Sequence, residues 1–221
     1  MSPCDSESHN GRKHFLILYH LCSPYIVLSP MSKDALIQAF HDLEAFKWNA
    51  QEGFRLASGK TSPYYVDCRI VLAHPYSRHL VAQLAFDLLK TLDVNLIGGL
   101  EIGAIPLATS ISDFAFSADP KQEWRTFVVR KQPKDHGLGK LIEGTFDPGE
   151  KAMVVDDAFT TGGSLLKATD AARNQGLQVS HAFVIVDRSE TDRHDHLKEH
   201  GLTLLSLLTL DDLKRTVPSP R

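Results

Sequence analysis

Cysteine is scarce in this chain. There are three in 221 residues, Cys4, Cys22 and Cys68, too far apart to form a CxxC pair or a metal-ligand spacing. That excludes a disulfide-stapled scaffold and a zinc ribbon, and it predicts a reduced, cytoplasmic protein. A charge excess is also missing. With 24 Lys and Arg against 27 Asp and Glu, the net charge is −3, which argues against nucleic acid as the partner. Long apolar runs are absent too. The most apolar stretch, Phe15 to Leu28, falls short of the ~20 residues a span needs, and His20, Ser23 and Pro24 interrupt it. Arg12, Lys13 and His14 precede it, yet no small-x-small cleavage site follows before Met31, so neither membrane insertion nor secretion is expected. The chain also lacks a P-loop. Its nearest imitation, Gly53 through Gly59-Lys60-Thr61, has five residues between the glycines instead of four, and Ser62-Pro63 breaks the helix that should follow. No internal repeat or low-complexity segment is present.

What remains is ordinary globular composition, 43% apolar and 23% charged, at a length that suits one domain. Folding at this size buries roughly 70% of the unfolded surface, so no staple is needed. Residues 1–30 differ from the rest in being polar, then briefly apolar, then Ser29-Pro30. The functional chain is expected to begin near Met31, with 1–30 an extension and 31–221 the working domain. From Ala35 a helical pattern starts, with Leu36, Ala39, Phe40, Leu43 and Phe46 on one face and Asp34 or Ser32 as N-cap.

Strands and helices then alternate. Helices are predicted over Arg78 to Lys90 and Gly163 to Asn174, the latter stopped at Gly176. Strands are predicted over Val94 to Ile97 with a tight exit at Gly98-Gly99, over Thr126 to Val129, over Lys151 to Val155 closed by Asp156-Asp157, and over Val179 to Val186. Apolar strands alternating with helices predict a parallel sheet covered on both faces.

The most informative stretch is Met153-Val154-Val155-Asp156-Asp157-Ala158-Phe159-Thr160-Thr161-Gly162-Gly163-Ser164. It reads as strand, acidic pair, small-residue loop, helix. The strand delivers the loop to the carboxyl edge of the sheet, where α/β folds bind ligands. Gly162 and Gly163 let the backbone approach a ligand. The helix start offers unpaired N–H groups and partial positive charge, which suit a phosphate. Thr160, Thr161 and Ser164 add hydroxyls, and Asp156 and Asp157 lie a sugar's length away, able to accept from ribose hydroxyls. A plain βα turn needs one glycine and none of the acids. The pattern resembles the signature by which type I phosphoribosyltransferases bind phosphoribosyl pyrophosphate (PRPP).

A second segment, Val129-Arg130-Lys131-Gln132-Pro133-Lys134-Asp135-His136-Gly137-Leu138-Gly139-Lys140, concentrates cations among glycines. Such runs are usually solvated loops, but this composition also suits a mobile basic lid over a polyphosphate. With Ile142-Glu143-Gly144 after it, the run resembles the flexible loop of orotate phosphoribosyltransferases. So does Phe54 to Arg69, with its aromatic pair Tyr64 and Tyr65, and Asp187-Arg188-Ser189-Glu190. The match spans Phe54 to Glu190. It departs from some members at Ala57 and across Gly98 to Pro106, where they carry lysines.

This resemblance implies a type I phosphoribosyltransferase fold, a central parallel sheet flanked by helices with a small hood and a flexible lid loop. It implies transfer of ribose 5-phosphate from PRPP to orotate in pyrimidine biosynthesis, with Mg²⁺ delivered on PRPP. It also implies a homodimer whose lid loop reaches the partner's site. Arg130, Lys131, Lys134 and His136 would contact PRPP or pyrophosphate, Lys134 being the main stabiliser of the transition state. Asp156 and Asp157 would hold the ribose. Ala158, Phe159, Thr160, Thr161, Gly162, Gly163 and Ser164 would bind PRPP, with Thr160 to Ser164 anchoring its 5′-phosphate. Tyr64, Tyr65, Thr160 and Arg188 would hold orotate, an anion suited to the planar arginine fork. A transferase for another base is disfavoured by the basic loop and Arg188. A PRPP-sensing regulator would need a basic face, and a fused decarboxylase would need a barrel of about 250 residues beyond Arg221. The polar stretch Asp192-Arg193-His194-Asp195-His196 is expected to be solvated surface, not a metal site.

Overall fold

The computed structural model describes residues 32–49, 51–55, 61–132, 141–189 and 194–215. The N-terminal segment 1–30 lies outside the described residues, as do Lys134 and His136 of the basic loop. Helix α1 (Lys33–Asp42) opens the fold, and Ser32 caps it by accepting from the Ala35 N–H at 3.2 Å. Phe46, expected on that helix, instead begins strand β1 (Phe46–Trp48). The helix has already ended at Leu43, and Glu44 turns the chain with φ +52°.

Strand β1 pairs antiparallel with β4 (Tyr64–Val66), and β2 (Phe54–Arg55) pairs with β3 (Thr61–Ser62). These small pairs stand apart from the main sheet and correspond to the expected hood. Helices α2 (Cys68–Ala73) and α3 (Pro75–Leu89) follow. The second begins three residues before the predicted start, because Pro75 sits in its first turn, where no donor is needed.

The main sheet contains β5 (Leu96–Leu100), β6 (Arg125–Val129), β7 (Ile142–Gly144), β8 (Lys151–Phe159), β9 (Gln178–Asp187) and β10 (Thr203–Thr209). Its order is β10-β9-β8-β5-β6-β7, parallel throughout except for the antiparallel edge strand β7. Helix α4 (Ala104–Ala118) joins β5 to β6, and α5 (Gly163–Asn174) joins β8 to β9, with the bounds expected for it. Short helices α6 (Asp195–Glu199) and α7 (Leu210–Lys214) flank β10.

Strand alternation divides the core between the two faces. Met153 and Val155 point toward Leu80, Leu107 and Ile111 of α3 and α4, whereas Ala152 and Val154 point toward Leu165 and Ala168 of α5. All of these are essentially fully buried, each larger aliphatic contributing ~1.5–3 kcal/mol. Gly98 and Gly99 are not a strand exit. They pair within β5, and a Cβ on Gly98 would collide with the Phe127 carbonyl, one on Gly99 with the Val155 carbonyl. Because both obstacles are backbone, Gly99→Ala is expected to cost ~2–3 kcal/mol. The check is a lower urea midpoint at unchanged slope. A midpoint equal to that of the parent chain would refute the close-approach explanation.

Candidate active site

The chain runs from β5 outward to β6 and then returns to the other side of β5 as β8. The carboxyl ends of β5 and β8 therefore flank a topological switch point, where open α/β sheets leave a crevice. A cleft of about 380 Å³ opens there. One wall is the end of β5 and the start of α4: Leu100, Glu101, Ile102 and Gly103. A second is the end of β8 with its loop: Asp156, Asp157, Ala158, Thr160 and Ser164. Asp67, Arg69, Lys131 and Arg188 close it.

The acidic pair does not terminate β8 as expected. The strand continues through Phe159, because Ala158 and Phe159 still pair with Val186 and Asp187 of β9. Each carboxylate curls back on the backbone: Asp156 Oδ1 accepts from the Asp157 N–H at 2.9 Å, and Asp157 Oδ1 from the Ala158 N–H at 3.0 Å. Both converge on Gly103, where a Cβ would stand 3.0 Å from each Oδ1. Burial, and then the negative charge of Asp157, push the Asp156 carboxyl up to about 7, while the Ser164 hydroxyl opposes the rise. Beside the pair, burial and the charge of Asp157 raise the Cys68 thiol well above its usual range, so it is no nucleophile near neutral pH.

Asp67 and Arg69 form a fork the sequence reading did not single out. Arg69 donates from Nε to Asp67 Oδ1 at 2.8 Å and from Nη2 to Oδ2 at 2.7 Å, and the Tyr65 hydroxyl reaches Oδ2 at 3.2 Å. The guanidinium holds the Asp67 carboxyl below the usual carboxylate range. Arg69 thereby stays charged on the cleft wall. The signal was present in Tyr65-Val66-Asp67-Cys68-Arg69, where only the aromatic pair had drawn a role.

Lys131 lines the cleft with its backbone held from two sides. Its N–H donates to Glu101 Oε1 at 2.8 Å, and its carbonyl accepts from Lys167 Nζ at 3.0 Å. Arg130 lies outside the cleft lining, 3.9 Å from Glu143 Oε1. Arg188 also lines the cleft, its backbone N–H donating to the Phe159 carbonyl at 2.9 Å. Tyr65 reaches the site only through Asp67. Tyr64 faces elsewhere, stacked on Phe46 with centroids 6.0 Å apart and covered by Lys214 Nζ at 4.6 Å.

In the loop between β8 and α5, Thr160 and Ser164 face the cleft, and Gly162 takes φ +77° to enter α5 without a side-chain cap. The Phe159 ring is not available to a ligand. It is buried against Leu165 and Leu197 on the α5 side, because the alternation of β8 breaks across the acidic pair: Ala158 packs with Met153 and Val155, and Phe159 with Ala152 and Val154. Of the stretch read as solvated surface, Asp192 and Arg193 lie outside the described residues and Asp195 is exposed, but His194 and His196 pack inward. His194 donates to Asp187 Oδ2 at 2.8 Å, and His196 lies against Phe159 and bonds the Thr161 carbonyl. Its apolar partner is remote in sequence, so local polarity misled. Among the described residues no group of three metal-ligating side chains occurs, and no helix is long and apolar enough to cross a membrane.

A mostly parallel sheet flanked by helices, with a glycine-bearing loop and a paired-carboxylate wall at its switch point, defines a type I phosphoribosyltransferase. No family model matches the chain. It is, however, 41% identical over 160 residues to the orotate phosphoribosyltransferase of Aquifex aeolicus, covering 72% of this chain and 86% of that one. The crystal structure of Mycobacterium tuberculosis orotate phosphoribosyltransferase in complex with Fe(III) dicitrate superposes with a TM-score of 0.68 at 33% identity, covering 82% of this chain and 98% of the other. The same enzyme in complex with 5-phospho-α-D-ribosyl 1-diphosphate gives a TM-score of 0.64 at 31% identity over the same shares. The chain belongs to the orotate phosphoribosyltransferase family.

Proposed function

We infer that this cleft transfers ribose 5-phosphate from PRPP to orotate, releasing pyrophosphate and giving orotidine 5′-phosphate for UMP synthesis. The observation that carries the reading is the meeting of phosphate loop, acidic pair and Arg188 in one crevice. The orotate ring nitrogen attacks ribose C1 as pyrophosphate departs, through a state with oxocarbenium character. Little covalent chemistry falls to the protein, so positioning and charge placement dominate.

Thr160 to Ser164 anchor the 5′-phosphate at the α5 N-terminus. Asp156 and Asp157 accept from the ribose hydroxyls and complement positive charge developing on the sugar. Arg69 and Lys131 meet the anionic leaving group from the cleft walls, with Arg130, Lys134 and His136 assigned to it by family resemblance. Arg188 offers its fork to the orotate carboxylate, with Thr160 and the Tyr64–Tyr65 pair on the orotate side by the same resemblance. The hard-oxygen donors here fit Mg²⁺ that keeps waters and takes phosphate oxygens from PRPP, with Asp156 and Asp157 the residues that would hold it. Bound there, it would neutralise charge on the pyrophosphate. We assign the work to the domain spanning 31–221, acting as a homodimer in the cytoplasm with the lid shared between subunits; nucleic acid and membrane have no part in it. The free, buried Cys68 thiol accords with a reducing compartment.

The test is consumption of orotate by purified protein with PRPP and Mg²⁺, with adenine, hypoxanthine and uracil in parallel. PRPP-dependent loss of orotate alone is expected. Turnover of another base would overturn the assignment of Arg188.

A further inference from the structure

We propose that His196 is a positioning residue for the 5′-phosphate subsite. It fixes the peptide between Thr161 and Gly162, so that the Gly162 N–H and not the Thr161 carbonyl faces the phosphate. The inference rests on the reading of Thr160 to Ser164 as the phosphate loop.

His196 Nε2 lies 2.9 Å from the Thr161 carbonyl oxygen, which only accepts, so the ring donates there. In a trans peptide the C=O and the following N–H point in opposite directions. Holding the carbonyl toward α6 therefore sends the Gly162 N–H the other way. Gly162, at φ +77° and without a side chain, offers little resistance to a flip, and no side chain caps this end of α5. A flipped peptide would turn a carbonyl dipole toward an anion. The contact is close, since a Cβ on Gly162 would stand 2.9 Å from His196 Nε2.

His196 is itself held in place. Its ring stacks on Phe159 with centroids 5.9 Å apart, at 22° between planes. His194 meets the same buried phenyl ring edge-on at 5.1 Å and is tied to Asp187 at 2.8 Å. Two imidazoles thus brace the floor of this loop from α6 and its N-cap, whose described residues do not line the cleft.

The experiment measures kcat, KM for PRPP and KM for orotate in the full chain, in His196→Phe and in His196→Gln. Phenylalanine keeps a ring on Phe159 but no donor; glutamine presents an N–H at similar reach. His196→Phe is expected to raise KM for PRPP about tenfold, the scale of one hydrogen bond to an oriented loop, with kcat and KM for orotate within about twofold. His196→Gln should recover most of that loss. An unchanged KM for PRPP in the phenylalanine variant, or equal loss in both, would overturn the proposal. Failure of the unsubstituted protein to use PRPP with any base would overturn the underlying reading, and this inference with it.

Discussion

Asp156→Asn is expected to make the protein more stable at pH 8 and nearly inactive. The carboxyl of Asp156 rises from its ordinary 3.8 to about 7 in the fold, through burial first and the neighbouring Asp157 charge second. An acid whose folded value is raised contributes stability that is fully present below its unfolded value. That contribution is lost as pH climbs through the window from about 4 to about 7. Above that window the folded state carries a buried, repelled carboxylate whose cost is at most ~4 kcal/mol. Asparagine removes the charge and keeps the shape. Its advantage in unfolding free energy should therefore grow between pH 5 and pH 8, several degrees in Tm at the upper end. In the role proposed for Asp156, the same change deprives the ribose hydroxyls and the developing positive charge of an acceptor, for an expected loss of ~10²–10³ in kcat/KM. Thermal unfolding at both pH values and steady-state kinetics test the two halves separately. A stability difference that does not vary with pH would refute the electrostatic account, and kinetics like those of the parent would refute the catalytic one. Carboxylates kept at a stability cost are common where function requires them.

Lys134→Ala should lower kcat by ~10²–10³, the usual loss when one preorganised charge facing a leaving group is removed. Lys134 lies outside the described residues, and the expectation rests on the family resemblance of Arg130 to Gly137. A kcat within threefold of the parent chain would exclude this role. A mixing experiment separates a lid that serves its own subunit from one that serves its partner. If lids cross between subunits, Lys134→Ala chains mixed with Asp157→Asn chains form hybrid dimers in which one site has both residues intact, and activity returns. Confirmed subunit exchange without rescue would mean that each site is built within one chain.

Much of the fold was legible in the sequence wherever one face of an element differs from the other. The Gly163–Asn174 helix, with its apolar stripe and Gly176 stop, was read with its correct bounds. Helix α4 was not read, because its polar positions do not mark a wet face: Ser110 and Ser117 return their hydroxyls to the carbonyls of Pro106 and Asp113 within the helix. Strand β10 was missed because a short apolar run does not reveal which neighbour it will pair with, and the edge strand β7 because Ile142-Glu143-Gly144 offers a single apolar side chain and no pattern. Gly98 and Gly99 looked like a turn, since a glycine pair signals a bend unless a neighbouring strand is known to press against it.

The sequence by itself determined the hydroxyl- and glycine-bearing loop after β8, the acidic pair and the family. All three depend on residues adjacent in the chain, where backbone freedom, hydroxyls and charge must follow one another in fixed order. Only the tertiary structure decided which side chains share the cleft. It brought Arg69 and Glu101 to the wall, turned Tyr64 and Phe159 away from it, and carried His196 back under a loop 35 residues earlier. Those placements follow from the crossing at the switch point and from the face of the sheet that each side chain meets, including the break in alternation that turns Phe159 to the α5 side, and these depend on how the segments pack and not on their order along the chain.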